Sequence, residues 1–106
     1  VELHEEQGMA ILLIRGYELP PGWSKKIVTL LFKLPASFPA GNPDMFWTDE
    51  DLTLTGGAVP KNGDQIENIL GQRWRRFSWH PGSWTDGSDD IRSFLQFVAR
   101  RLAQVV

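Results

Sequence analysis

The sequence predicts an α+β domain, an antiparallel β-meander of about four strands with a C-terminal helix packed on one face. Apolar runs of strand length fill the first half of the chain, cut apart by prolines and glycines. A single amphipathic helical pattern closes it, with Ile91, Phe94, Leu95, Val98, Leu102 and Val105 on one face. The 106 residues are 42 % hydrophobic and contain no repeat or low-complexity linker, so one core and a single domain over residues 1–106 are expected.

The elements follow in chain order. Met9 to Ile14 is an apolar run too short for a stable helix and reads as a strand. Leu19-Pro20-Pro21-Gly22 breaks it, and Lys26 to Phe32 returns. Two such runs around a Pro-Gly loop read as an antiparallel pair. Leu34 to Pro43 carries three prolines in ten residues and reads as an extended surface loop, because proline cannot donate to a ladder. Asp44 to Trp47 reads as a short buried strand, with Phe38, Phe46 and Trp47 as candidates for core packing.

Thr48 to Gln72 shows no periodicity and is broken by Gly56-Gly57, Pro60, Asn62-Gly63 and Gly71. It is the least structured stretch by pattern, with Asn62-Gly63 as a turn signal. Arg73 to His80 reads as extended, which puts Trp74, Arg76, Ser78 and His80 on one side and Arg75, Phe77 and Trp79 on the other. Pro81-Gly82 ends it, and a loop over 83–87 leads to the helix. Ser88 is the expected N-cap, Asp89 and Asp90 the acidic first turn, and Arg100 and Arg101 the basic C-terminal end. Gln104 is expected to fray.

Composition excludes several function classes. A net charge of −2 and a pI near 5.6 argue against nonspecific nucleic-acid binding, which needs a basic surface. There is no cysteine, hence no disulfide, no thiol chemistry and no cysteine-based zinc site. No apolar run approaches the roughly 18 residues of a membrane-spanning helix. The N-terminal Val1 to Glu6 is acidic, unlike a signal peptide, and a cytoplasmic protein is expected.

The candidate sites are few. Ser78 and His80 could form a nucleophile–base pair. On one face of a strand, however, they lie about 7 Å apart, and no G-x-S-x-G elbow accompanies them. The competing reading is a structural histidine bonded to nearby backbone. Asp44, Asp49, Glu50 and Asp51 form an acidic cluster without the spacing of a calcium loop, so a solvated loop is expected and no metal site. Arg73, Arg75 and Arg76 with their flanking tryptophans, joined by Arg92, Arg100 and Arg101, read either as ordinary surface arginines over indole rings or as a protein-binding patch. Gly56-Gly57 matches no phosphate-binding loop, and no cofactor is expected.

Phe32-Lys33-Leu34-Pro35-Ala36-Ser37-Phe38-Pro39-Ala40-Gly41-Asn42-Pro43 resembles the proline-spaced segment of the ubiquitin-conjugating (E2) superfamily. Leu34-Pro35, Phe38-Pro39 and Pro43 take the places of that motif, and Trp74 with the downstream helix resembles the family's tryptophan before its post-catalytic helix. Together with Pro43-Asp44-Met45-Phe46-Trp47, the Trp74 to His80 cluster, Trp84 and Asp90-Ile91, the chain is more narrowly similar to prokaryotic E2 family E over roughly residues 1 to 105. The resemblance implies a UBC/RWD-like fold and a place in a bacterial ubiquitin-like modification system. Its partners would be a ubiquitin-like protein, an E1-like activating enzyme, or both.

The departures from the family pattern decide the functional expectation. An active E2 holds its cargo as a thioester on a cysteine. The zone where that cysteine would lie, Thr55 to Leu70, has none. The His-Pro-Asn tripeptide upstream of the cysteine is missing too, and His80-Pro81-Gly82 lies on the wrong side of Trp74 to replace it. The expected function is therefore a non-catalytic binding or scaffold module with no catalytic residue. Its binding residues would be Phe38, Trp74, Arg75, Arg76, Trp79 and His80. The alternative is an active conjugating enzyme whose cysteine was mutated or replaced by an oxygen nucleophile. An arginine-rich nucleic-acid adaptor is a third reading, opposed by the net charge.

Overall fold

Alternation of apolar side chains sets two faces on one sheet. The computed structural model describes residues 1–85 and 87–106; Asp86, expected in the loop before the helix, lies outside the described residues. Among the described residues, six strands, β1 (Glu2–Glu6), β2 (Met9–Glu18), β3 (Ile27–Leu34), β4 (Phe46–Asp49), β5 (Gln65–Ile69) and β6 (Gln72–Phe77), precede a single helix, α1 (Ile91–Ala103). All neighbours pair antiparallel in the order β1-β2-β3-β4-β6-β5. The α+β expectation and the β2–β3 pair stand, but the strand count is six rather than about four.

The two added strands are the sheet's edges, and each is half of a tight hairpin. Glu6 pairs with Met9 across Gln7-Gly8, and Ile69 pairs with Gln72 across Leu70-Gly71. All four turn residues have positive φ, between 53° and 77°. Such two-residue turns match the twist of the strands they join. Their first positions hold Gln and Leu rather than the favoured Asn or Asp, so the local signal was weak. Asn62-Gly63 does turn, with Asn62 at φ 58° and Gly63 N–H donating to Pro60 O, but it joins no hairpin. The stretch 48–72 therefore holds a strand that periodicity did not show. β1 was equally silent because its acidic side chains leave the charged edge that protects an exposed strand.

One face carries the main core. Val28, Leu30 and Phe32 of β3, Phe46 of β4 and Phe77 of β6 meet Phe94, Val98 and Leu102 of α1. Phe94 sets its edge on Phe32 at 4.9 Å between centroids, and Phe46 stacks on Phe77 at 4.8 Å. Trp23 closes the far end, donating its indole N–H to Leu102 O at 2.9 Å. The opposite face gathers Ile11, Leu13, Leu31, Trp47, Ile69 and Trp74, each at most 4 % exposed, with no helix covering them. The sheet curls into a half-barrel over these side chains. At its margin the Glu6 carboxylate accepts Leu70 N–H, 64 residues away.

The helix begins later than expected. Asp90 rather than Ser88 is the N-cap: its carboxylate accepts from the N–H of Arg92 and of Ser93, and the Ser93 hydroxyl accepts from Asp90 N–H. Ser88 is occupied one turn earlier, donating its N–H to Thr85 O. Asp89 also lies before the helix and accepts Thr85 N–H. The Arg92 side chain and the Ser93 N–H hold the Asp90 carboxyl below its ordinary pKa. Arg100 and Arg101 occupy the last turn as the dipole favours. Val105 has left the helix at φ 47° and packs on Gly22. Among the described residues, no helix is long and apolar enough to cross a membrane.

Candidate functional site

Strand register brings two loops to one end of the sheet. Phe46 of β4 pairs with Phe77 of β6. The proline-rich segment enters β4 from one side, and the segment after β6 leaves on the other, so residues just beyond this pair become neighbours. Asp44 stands two residues before Phe46 and His80 three after Phe77. Their side chains meet, His80 Nδ1 on Asp44 Oδ1, with 58 % of each exposed. His80 is thus bonded to a carboxylate, not to nearby backbone. Ser78 instead uses its N–H on Asn62 O.

The same loops are joined a second time. The Phe38 ring lies 6.3 Å from Trp84 in a tilted pair, and Trp84 donates its indole N–H to Pro39 O at 2.8 Å. Two turns stiffen the proline-rich loop, Phe38 N–H to Pro35 O and Gly41 N–H to Ser37 O. At Gly41 the loop is close-packed: a Cβ there would displace the Ser37 hydroxyl. Beside Asp44 a groove of about 370 Å³ opens, lined by Met9, Lys33, Asn42, Met45 and Trp47. Lys33 holds its ammonium 4.8 Å from the centre of the Trp47 ring.

The other expected binding residues sit elsewhere. Trp74 is 4 % exposed on the half-barrel face, and its indole donates to Ile69 O at 3.0 Å. Arg75 donates to Gly63 O at 2.6 Å, and Arg76 lies 3.5 Å from Glu67. Glu67 also accepts the Trp47 indole N–H at 2.8 Å. Trp79 is half-buried beneath the Arg101 guanidinium, 4.7 Å from its ring centre. Arg101 is fully buried, donating only to Lys61 O and Val106 O, and burial pulls its pKa below the ordinary value. Arg73 pairs with Glu50 at 2.6 Å and Arg92 with Asp90 at 3.1 Å. The arginines therefore do not gather into one basic face. Of the six predicted residues, Phe38 and His80 share the two-loop site. Trp84 and Asp44 complete it, unseen in the sequence because 45 and 36 positions separate them from their partners.

The acidic cluster also resolves into pairs. Lys25 lies 3.0 Å from both Asp49 and Asp51, which raise its pKa, Asp49 the more strongly. Among the described residues, no group of three or more His, Asp or Glu is placed to hold a metal ion. In the zone where a conjugating cysteine would lie, 55–70, Thr55 carries the one hydroxyl. It donates to Trp23 O at 3.3 Å, and Thr55 N–H donates to Gly22 O. Thr55 is exposed, and among the described residues no side-chain base is hydrogen-bonded to its hydroxyl.

The family model described as prokaryotic E2 family E matches residues 1–105. No curated protein and no solved structure matches the chain.

Proposed function

The chain belongs to prokaryotic E2 family E, and from that membership we propose that it is an E2-like component of a bacterial ubiquitin-like modification system that binds but does not carry the modifier. The observation that carries this reading is the zone 55–70. It has no thiol, and its one hydroxyl is spent on a backbone carbonyl. A thioester needs a sulfur nucleophile, which this stretch lacks, and an oxyester a hydroxyl activated by a base, while among the described residues no side-chain base is bonded to Thr55 Oγ1. What remains is a scaffold that presents surfaces to a ubiquitin-like protein, to an E1-like activating enzyme, or to both.

The binding surface in this proposal is the two-loop site, with Phe38 and Trp84 as its aromatic anchors and His80 exposed beside them. Aromatic anchors in a stiff loop suit an interface, because little side-chain freedom is lost on binding. Arg75 and Arg76 lie on the strand that leads to it, Trp79 just beyond its end, and Trp74 anchors the same strand by its buried ring. Nucleic acid is not the partner, since the arginines are separately engaged and the net charge is −2. We place the protein in the cytoplasm with the ATP-dependent activation step it would serve.

The test is to incubate the chain with a bacterial E1-like enzyme and its ubiquitin-like protein, with ATP, and to measure its intact mass and its retention of both proteins. Retention without added mass is expected, weakened by Phe38→Ala. A base-labile adduct on this chain would overturn the proposal.

A further inference from the structure

We infer that Asp44 and His80 form an acid–base dyad that assists acyl transfer from a thioester carried by a partner protein. The inference rests on the proposed function, because the thioester must come from elsewhere. Its basis is geometric. His80 Nδ1 is the ring nitrogen that meets the Asp44 carboxyl, so in the tautomer that donates Nδ1–H the ring is fixed and its lone pair is on Nε2. That is the orientation a carboxylate imposes on a histidine that moves protons.

Stability does not explain the pair. Both side chains are 58 % exposed, and an ion pair in that setting contributes little to folding. Yet its position is heavily determined. Phe46–Phe77 stacking anchors the strand ends beneath it, and the Trp84 bond to Pro39 ties the two loops beside it. A rigid frame around an exposed pair fits a group that must be held in place for a ligand. On the carboxylate side of the pair, Asp44 itself lines a groove whose walls carry both Lys33 and Glu67.

In the step proposed, the nitrogen of an amine acceptor attacks the thioester carbonyl. The N–C bond forms as His80 Nε2 takes the amine proton. The C–S bond then breaks, and the proton passes from His80 to the departing thiolate, so that amide and thiol are the products and the ring returns to its starting state. No oxidant or reductant is involved.

The experiment uses the full chain, the mercaptoethanesulfonate thioester of N-acetylglycine as acyl donor and glycinamide as acceptor, with amide formation followed across a pH series. The expected result is a rate about a hundredfold above that of the reaction without protein, the scale of general-base assistance, and clearly above that of N-acetylhistidine at equal concentration. His80→Gln should lose the protein-dependent rate and its pH dependence, and Asp44→Asn most of the rate, both with an unchanged melting temperature. A His80→Gln variant as fast as the parent, or a parent no faster than N-acetylhistidine, overturns the dyad and leaves the binding role intact. An acyl adduct on the chain itself would instead overturn the binding-only role.

Discussion

Glu6 and Leu70 meet at the margin of the half-barrel: the carboxylate that ends the first strand accepts the N–H of the turn between the fifth and sixth, at 3.2 Å from its nearer oxygen. The two hairpins that flank the sheet are joined by this contact. Glu6→Ala leaves a half-buried N–H without its acceptor and is expected to cost about 1–2 kcal/mol. Glu6→Gln, which keeps an acceptor, should recover much of it. Urea unfolding of the three proteins checks both.

Trp74 should behave as a core residue. Its ring is 4 % exposed among Ile11, Leu13, Leu31, Trp47 and Ile69. Trp74→Ala is expected to destabilise the fold by roughly 3–5 kcal/mol. An unchanged melting temperature would contradict the packing described here.

Gly22 is fixed twice. Its φ is 109°, and a Cβ would lie 2.5 Å from Val105 Cγ1. Gly22→Ala is expected to cost about 1–3 kcal/mol from backbone strain alone, and the clash adds to that. In the double variant with Val105→Ala the clash disappears and the strain stays. A partial rescue in thermal unfolding is therefore the expected result.

Arg101 occupies an apolar slot, 5.4 Å from the Phe77 ring centre and 4.7 Å from that of Trp79, with Nε and Nη1 lacking hydrogen-bond partners among the described residues. Arg101→Met fills the slot without burying unpaired N–H groups and should fall within about 1 kcal/mol of the parent. Arg101→Ala empties it and should cost about 2–4 kcal/mol. Denaturation midpoints of the two variants settle the order.

The acid limb of stability should depend on Glu2. Its hydrogen bond to Arg15, and a second with His4, bring its carboxyl from an ordinary 4.5 to about 2. The unfolded chain binds the proton more readily, so this contribution is complete above about 4.5 and is lost as the pH falls through about 2. Glu2→Gln should flatten the stability–pH curve in that window. The group is exposed, so the effect is small and shrinks in salt. Melting temperatures from pH 2 to 5 at two salt concentrations measure it.

Where side-chain chemistry is local, the sequence determined the outcome. Apolar runs of strand length in Met9 to Ile14 and Lys26 to Phe32 marked the second and third strands, and the spacing of Phe94, Val98 and Leu102 marked the helix and its buried face. The absence of any cysteine thiol was likewise plain in the sequence. Tertiary structure decided what depends on partners far along the chain. β1 and β5 have no apolar period of their own and exist because hairpins with positive-φ turns lay them on established neighbours. Asp90 took the cap from Ser88 because its carboxylate reaches two helical N–H groups. The Asp44–His80 and Phe38–Trp84 contacts arise from the pairing of Phe46 with Phe77, which brings two loops together at one end of the sheet. Such proximity is set by register, a long-range property that neither local propensity nor spacing encodes.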